Sequence, residues 1–83
     1  MRLDVALFGL RLYKSRSQAT DAIQAGHVHL NGAPAKPSRE VHPGDRVTLT
    51  THAGTRTLEI VDLPRGSLSK ERAQALLRPM TEN

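Results

Sequence analysis

The sequence predicts an α+β domain: two packed N-terminal helices, then a small, mostly antiparallel sheet, then a short C-terminal helix. Three observations lead there. Leu3, Ala6, Leu7 and Leu10 recur at helical spacing, whereas from His27 the apolar period drops to two. Turn signals at Gly26, Asn31-Gly32, Pro43-Gly44 and Ala53-Gly54 cut the rest into short pieces. With 83 residues the chain has room for one domain, and at 37% hydrophobic content its core is small.

The first helix is expected over Arg2 to Leu12, weakened by Gly9 and therefore short or ending early. Ser15 begins the second. Ser15 and Gln18 have capping-box spacing, in which each side chain satisfies a backbone donor at the helix start. Ala19, Ala22 and Ile23 form its apolar face, with side chains small enough to sit close against the first helix. Gly26 ends it.

In the strand that follows, Val28 and Leu30 point one way and His27 and His29 the other. Asn31-Gly32 marks a tight turn. Pro34, Pro37, Pro43 and Gly44 keep the next stretch irregular, with extended pieces near Ala35 and Val41. Val47 and Leu49 suggest a strand, and Leu58, Ile60 and Val61 a closing one after the Ala53-Gly54 turn. Pro64 and Gly66 break the chain. Ser69 caps a last helix carrying Ala73, Leu76 and Leu77, stopped before Pro79.

Composition narrows the function. Twelve Lys and Arg against eight Asp and Glu give a formal charge of +4, which favours a polyanionic partner. There is no Cys, so disulfides and thiolate metal sites are excluded. No apolar run is long enough to span a bilayer, and Val5–Leu10 is too short, and too closely flanked by Asp4 and Arg11, for a signal peptide. The expectation is a cytoplasmic protein with no membrane partner. Phe8 and Tyr13 are the only aromatic residues, which argues against binders that stack successive bases on aromatic platforms. An RNA-binding chain of this composition reads shape and phosphates.

The segment KSRSQATDAIQAGHVHLNG, from Lys14 to Gly32, concentrates the question. Lys14 and Arg16 crowd the start of the second helix, where the backbone already carries about half a positive charge and exposes N–H groups. The repulsion costs a few tenths of a kcal/mol, and it turns favourable when a phosphate sits there. Arg2 and Arg11, at either end of the first helix, and Lys36 and Arg39, flanking Pro37, can extend this into one curved basic face.

The order RLD, RLYKSRSQA, AGHVHLNG, AKPSREVHPGDRVTL resembles the S-four RNA-binding domain, also called the alpha-L motif, over Arg2 to about Val61. Within that superfamily it is most similar to the small stand-alone members: the heat-shock protein fifteen group and its shorter relatives in bacterial ribosome quality control. The resemblance implies an RNA-binding domain over residues 1–63 and a tail over 64–83. It implies a large ribosomal subunit as partner, with contacts to large-subunit rRNA and to peptidyl-tRNA on stalled ribosomes, and a monomer away from the ribosome. The absence of a long basic C-terminal extension favours the quality-control relatives. By the same resemblance Arg2 and Arg16 match the RNA-contacting arginines. Asp4 matches an acid that orients an arginine, and Lys14, Ser15, Gln18, Lys36, Ser38 and Arg39 fall on the RNA-facing surface. Three positions depart from the usual pattern: Val5 replaces a lysine, and Leu7 and Phe8 stand where relatives often carry tryptophan.

No catalytic residue, metal or cofactor is expected. His27 and His29 share a strand face but have no third ligand nearby, and His42 and His52 fall in turns. Asp45 follows Pro43-Gly44 as a turn residue. Ser15 has no base to activate it, and no carboxylates are paired. The alternatives are a chaperone-like or protein-interaction module, for which only Leu76 and Leu77 offer apolar surface, and a general structured-RNA binder with no ribosomal role. An RNA-modifying enzyme lacks the residues for a catalytic domain, and a helix-turn-helix DNA binder would not run into a strand.

Overall fold

The computed structural model describes residues 1–80 and shows an α+β fold. Helices α1 (Leu3–Gly9) and α2 (Arg16–Gln24) come first. Strands β1 (Val28–Leu30), β2 (Ala33–Pro34), β3 (Arg46–Thr51) and β4 (Gly54–Ile60) follow, then α3 (Lys70–Ala75) and β5 (Leu77–Met80). The sheet is antiparallel throughout, in the order β2-β1-β3-β4-β5. One cluster holds the molecule together: Leu3, Ala6, Leu7 and Leu10 of the first helical segment, Ala19 and Ile23 of α2, and Val28, Leu30, Val47, Leu49, Leu58 and Ile60 of the sheet are all buried. These are the positions that the two periodicities select.

Helix α1 is shorter than the expected Arg2–Leu12, and its last turn explains why. Arg11 N–H donates to Phe8 O and Leu12 N–H to Leu7 O, the paired bonds of a Schellman ending. α2 closes the same way, through Gly26 N–H to Ile23 O and His27 N–H to Ala22 O. At the left-handed position α2 has Gly26, φ 83°, whereas α1 has Arg11, φ 59°. An arginine there costs on the order of 1 kcal/mol that a glycine would not. The capping box forms one residue off its ideal: Ser15 Oγ accepts from Gln18 N–H at 3.1 Å, but Gln18 Oε1 accepts from Lys14 N–H at 3.3 Å.

The Asn31-Gly32 turn pairs Leu30 with Ala33, both turn residues having positive φ. Asn31 also works through its side chain, accepting from Arg46 N–H and donating to Asp45 Oδ1. Asp45 accepts from His42 N–H as well, so it is the turn residue the sequence suggests. Between β2 and β3 the chain crosses from one side of β1 to the other and binds α1 on the way. Leu3 N–H donates to Arg39 O (2.8 Å), Asp4 N–H to Pro37 O (3.2 Å), and Val41 N–H to Met1 O (2.9 Å).

Beyond residue 63 the structure adds a strand that the sequence did not announce. Ser69 caps α3, its Oγ accepting from Arg72 N–H, and β5 then pairs with β4 from Ile60↔Leu77 to Thr57↔Met80. Residues 81–83 of the expected tail lie outside the described residues. The buried Pro64 ring reaches back to α1, where a Cβ on Gly9 would lie 2.7 Å from Pro64 Cγ. Gly9 is therefore a contact point for the chain after β4, more than a weak place in a helix.

Gly9→Ala tests this reading. Helix propensity alone would stabilise α1 by up to about 1 kcal/mol. Overpacking against the rigid ring costs roughly 1–3 kcal/mol and should win. The expected result is a lower melting temperature, by about 4–8 °C per kcal/mol for a domain of this size. A higher melting temperature would show that the Pro64 contact yields without cost.

Candidate nucleic-acid interface

Asp4 is the one buried charged side chain among the described residues, with relative exposure of 1%. A buried carboxylate must be paired and hydrogen-bonded, and this one is. Arg2 meets it side-on, Nε to Oδ1 and Nη2 to Oδ2, both at 3.1 Å. Val5 N–H donates to Oδ1 at 2.8 Å, and Thr20 Oγ1–H to Oδ2 at 3.3 Å. Arg16 Nε lies 3.5 Å from Oδ2. Burial pushes the Asp4 carboxyl pKa up. Hydrogen bonds from Arg2 and Val5, with the charges of Arg2 and Arg16, outweigh that and hold it below its usual 3.8.

The two arginines are only half consumed by this contact. Their side chains keep 49% and 53% of their exposure, so part of each guanidinium faces solvent. Arg2 sits where two grooves meet. One runs past Asp4, Arg16, Ser17 and Thr20 and is also lined by the acid Asp21. The other runs past Thr20, Gln24 and the Pro34–Ser38 segment, which brings in Lys36 and Ser38. That loop is held in shape by a turn in which Arg39 N–H donates to Lys36 O, with Pro37 at its second position. Arg39 is exposed beside it.

The remaining candidates are placed differently. Ser15 and Gln18 spend their side chains on the α2 cap. Lys14 and Arg11 line a separate groove with Phe8 and Tyr13. The expected single basic face is thus two neighbouring surfaces, with the start of α2 between them. Among the described residues, Arg16 N–H and Ser17 N–H at that start have no hydrogen-bond partner. By contrast, the first N–H groups of α1 are taken by Arg39 O, Pro37 O and Asp4. Thr20 is a site residue the sequence reading missed. Its signal is its spacing of four from Arg16, which puts both on one side of α2, facing Asp4.

The S4 domain family model matches residues 1–47, more than half of the chain. The chain belongs to the S4 domain family. This is an RNA-binding family and not an enzymatic one. A protein of Helicobacter pylori strain J99, the RQC P-site tRNA stabilizing factor, is 42% identical over 64 residues, covering 77% of this chain and 76% of that one. The heat shock protein 15 homolog of Aeromonas salmonicida is 32% identical over 90 residues, covering 100% and 68%. The solved trimeric structure of Vibrio cholerae heat shock protein 15 superposes with a TM-score of 0.90 at 36% identity, covering 96% and 81%. The same fold therefore carries this S4 chain and a longer relative. No helix among the described residues is long and apolar enough to cross a membrane.

Because the folded-state pKa of Asp4 is lowered, its contribution to stability is complete above the unfolded value near 3.8 and is lost as pH falls through the lower folded value. Asp4→Asn should lower stability at pH 7 by about 1–2 kcal/mol, a figure that discounts charged hydrogen bonds for the half-exposed arginines. Chemical denaturation at pH 7 and in acid measures it. The difference from wild type should shrink at the acid end. A constant difference across that range would mean that the charge of Asp4 contributes nothing.

Proposed function

We propose that this S4 domain binds structured RNA on the large ribosomal subunit, contacting both rRNA and a P-site peptidyl-tRNA, and so holds the tRNA in place during rescue of stalled ribosomes. The observation that carries the reading is the convergence of Arg2 and Arg16 on buried Asp4, beside the open N–H groups of α2. Guanidiniums, backbone donors and the helix dipole all favour an anion at one point, which is what a phosphate offers. Lys36, Ser38 and Arg39 extend the same surface along a backbone. Residues 1–63 carry this surface, and the tail adds the edge strand β5 to the sheet. The similarity to a factor named for stabilising P-site tRNA supports the ribosomal setting.

Positioning, without chemistry, is the mechanism. Phosphate contacts fix register and orientation and read little sequence, so the partner is selected by the shape in which its phosphates are presented. The RNA is cytoplasmic, and one copy of the chain acts on it. Both sheet edges carry a proline, Pro34 in β2 and Pro79 in β5, which removes a donor from each edge and disfavours growth of the sheet through another copy.

Arg16→Ala separates binding from folding. Losing the partly solvated Asp4 contact costs less than about 1 kcal/mol, and removing a cation from the α2 start returns part of that. The melting temperature should barely move. Affinity for isolated large subunits or for tRNA should fall by roughly 1–3 kcal/mol, with Arg16→Lys recovering only part. Arg56→Ala, in β4 and lining none of these grooves, should bind as wild type. With about four phosphates contacted, log affinity should fall against log salt with a slope of about −3 to −4. Normal binding by Arg16→Ala, or a flat salt response, would contradict the reading.

A further inference from the structure

The chain has two aromatic side chains, Phe8 and Tyr13, and both line one groove. Arg11 and Lys14 line it too, and no acid does. Its far wall is the Gly66–Leu68 segment, held by Arg11 Nη1 donating to Leu68 O at 3.0 Å and by the close approach of Pro64 to Gly9. Phe8 is 46% exposed and is not part of the core. Arg11 occupies the left-handed position where α2 uses glycine, so the chain keeps a side chain at a site where the backbone favours none. Lys14 is shared between this groove and the start of α2.

We propose that this groove receives one unpaired base of the RNA held at the α2 start, with its face against Phe8 and Tyr13 and its phosphate between Arg11 and Lys14. The inference rests on the RNA-binding reading above and adds a preference to it. Every base has a π-face, so the groove selects for a nucleotide out of its helix and not for a base identity. Structured RNA with a bulge or an open loop beside the contacted stem is then preferred to an uninterrupted duplex. An apolar peptide would leave both cations without a counter-charge, whereas a nucleotide supplies a flat apolar face and an anion together.

Two RNA hairpins of the same stem test this, one with a single bulged fluorescent purine analogue and one fully paired with the analogue in the stem. Wild-type protein should bind the bulged hairpin on the order of ten-fold more tightly and quench its analogue. Tyrosine emission, which reports Tyr13 alone, should fall on binding the bulged hairpin only. Phe8→Ala should keep its melting temperature and its affinity for the paired hairpin but lose most of the preference, and Phe8→Trp should restore it. Equal binding of both hairpins by wild type overturns the groove while leaving the RNA-binding reading intact. So does a Phe8→Ala loss that is equal on both. Binding of neither hairpin, even at low salt, overturns both readings.

Discussion

One buried carboxylate organises the N-terminal half of this domain. Asp4 accepts from Arg2, Val5 and Thr20 and sits 3.5 Å from Arg16, so a single side chain ties α1 to α2. A buried charge is tolerable only when such partners surround it, and once present they are held in place by it. The arginines cannot follow Asp4 into the interior and remain half in solvent. Their outer halves are therefore oriented before any ligand arrives, which lowers the entropy lost on binding one. This also accounts for Arg16 at a helix start. Asp4 offsets the local repulsion from within the protein and leaves the guanidinium able to meet a phosphate.

The two helix starts are treated differently, and the difference assigns them different work. At α1 the leading N–H groups are used up by Arg39 O, Pro37 O and the Asp4 carboxylate. That end builds the fold, since it fastens the chain between β2 and β3 and so places Lys36 and Ser38 opposite Arg2. At α2 the cap satisfies Gln18 N–H and leaves Arg16 and Ser17 N–H open. That end faces outward between two basic surfaces. A positive helix end flanked by cations suits an anion and is unfavourable to almost anything else.

Much of this was legible in the sequence, because the signals were local. The helical faces, the Ser15 cap, the Gly26 stop and the Asn31-Gly32 turn each depend on residues a few positions apart. What was hidden depended on the packing of distant segments. β5 has four residues with a proline among them, and its strand character comes from the free edge of β4 more than from its own pattern. Gly9 read as a defect until Pro64 was seen against it. Arg11 and Lys14, near Arg16 in sequence, turn to another groove because α1 ends early in a left-handed residue. Membership in the S4 domain family, by contrast, was readable from short blocks in order, since they carry the residues that build this corner.

Asp4 organises the two arginines, and its effect on RNA binding has a sign that tells this apart from plain electrostatics. Removing a buried negative charge from beside these arginines should tighten RNA binding if Coulomb attraction alone mattered. If Asp4 works by holding Arg2 and Arg16 in position, its loss should weaken binding. The measurement is the affinity of folded Asp4→Asn protein for isolated large ribosomal subunits at one fixed salt concentration, beside wild type. The predicted result is binding weaker by roughly five- to thirty-fold, equivalent to about 1–2 kcal/mol. Equal or tighter binding by the variant would contradict the account.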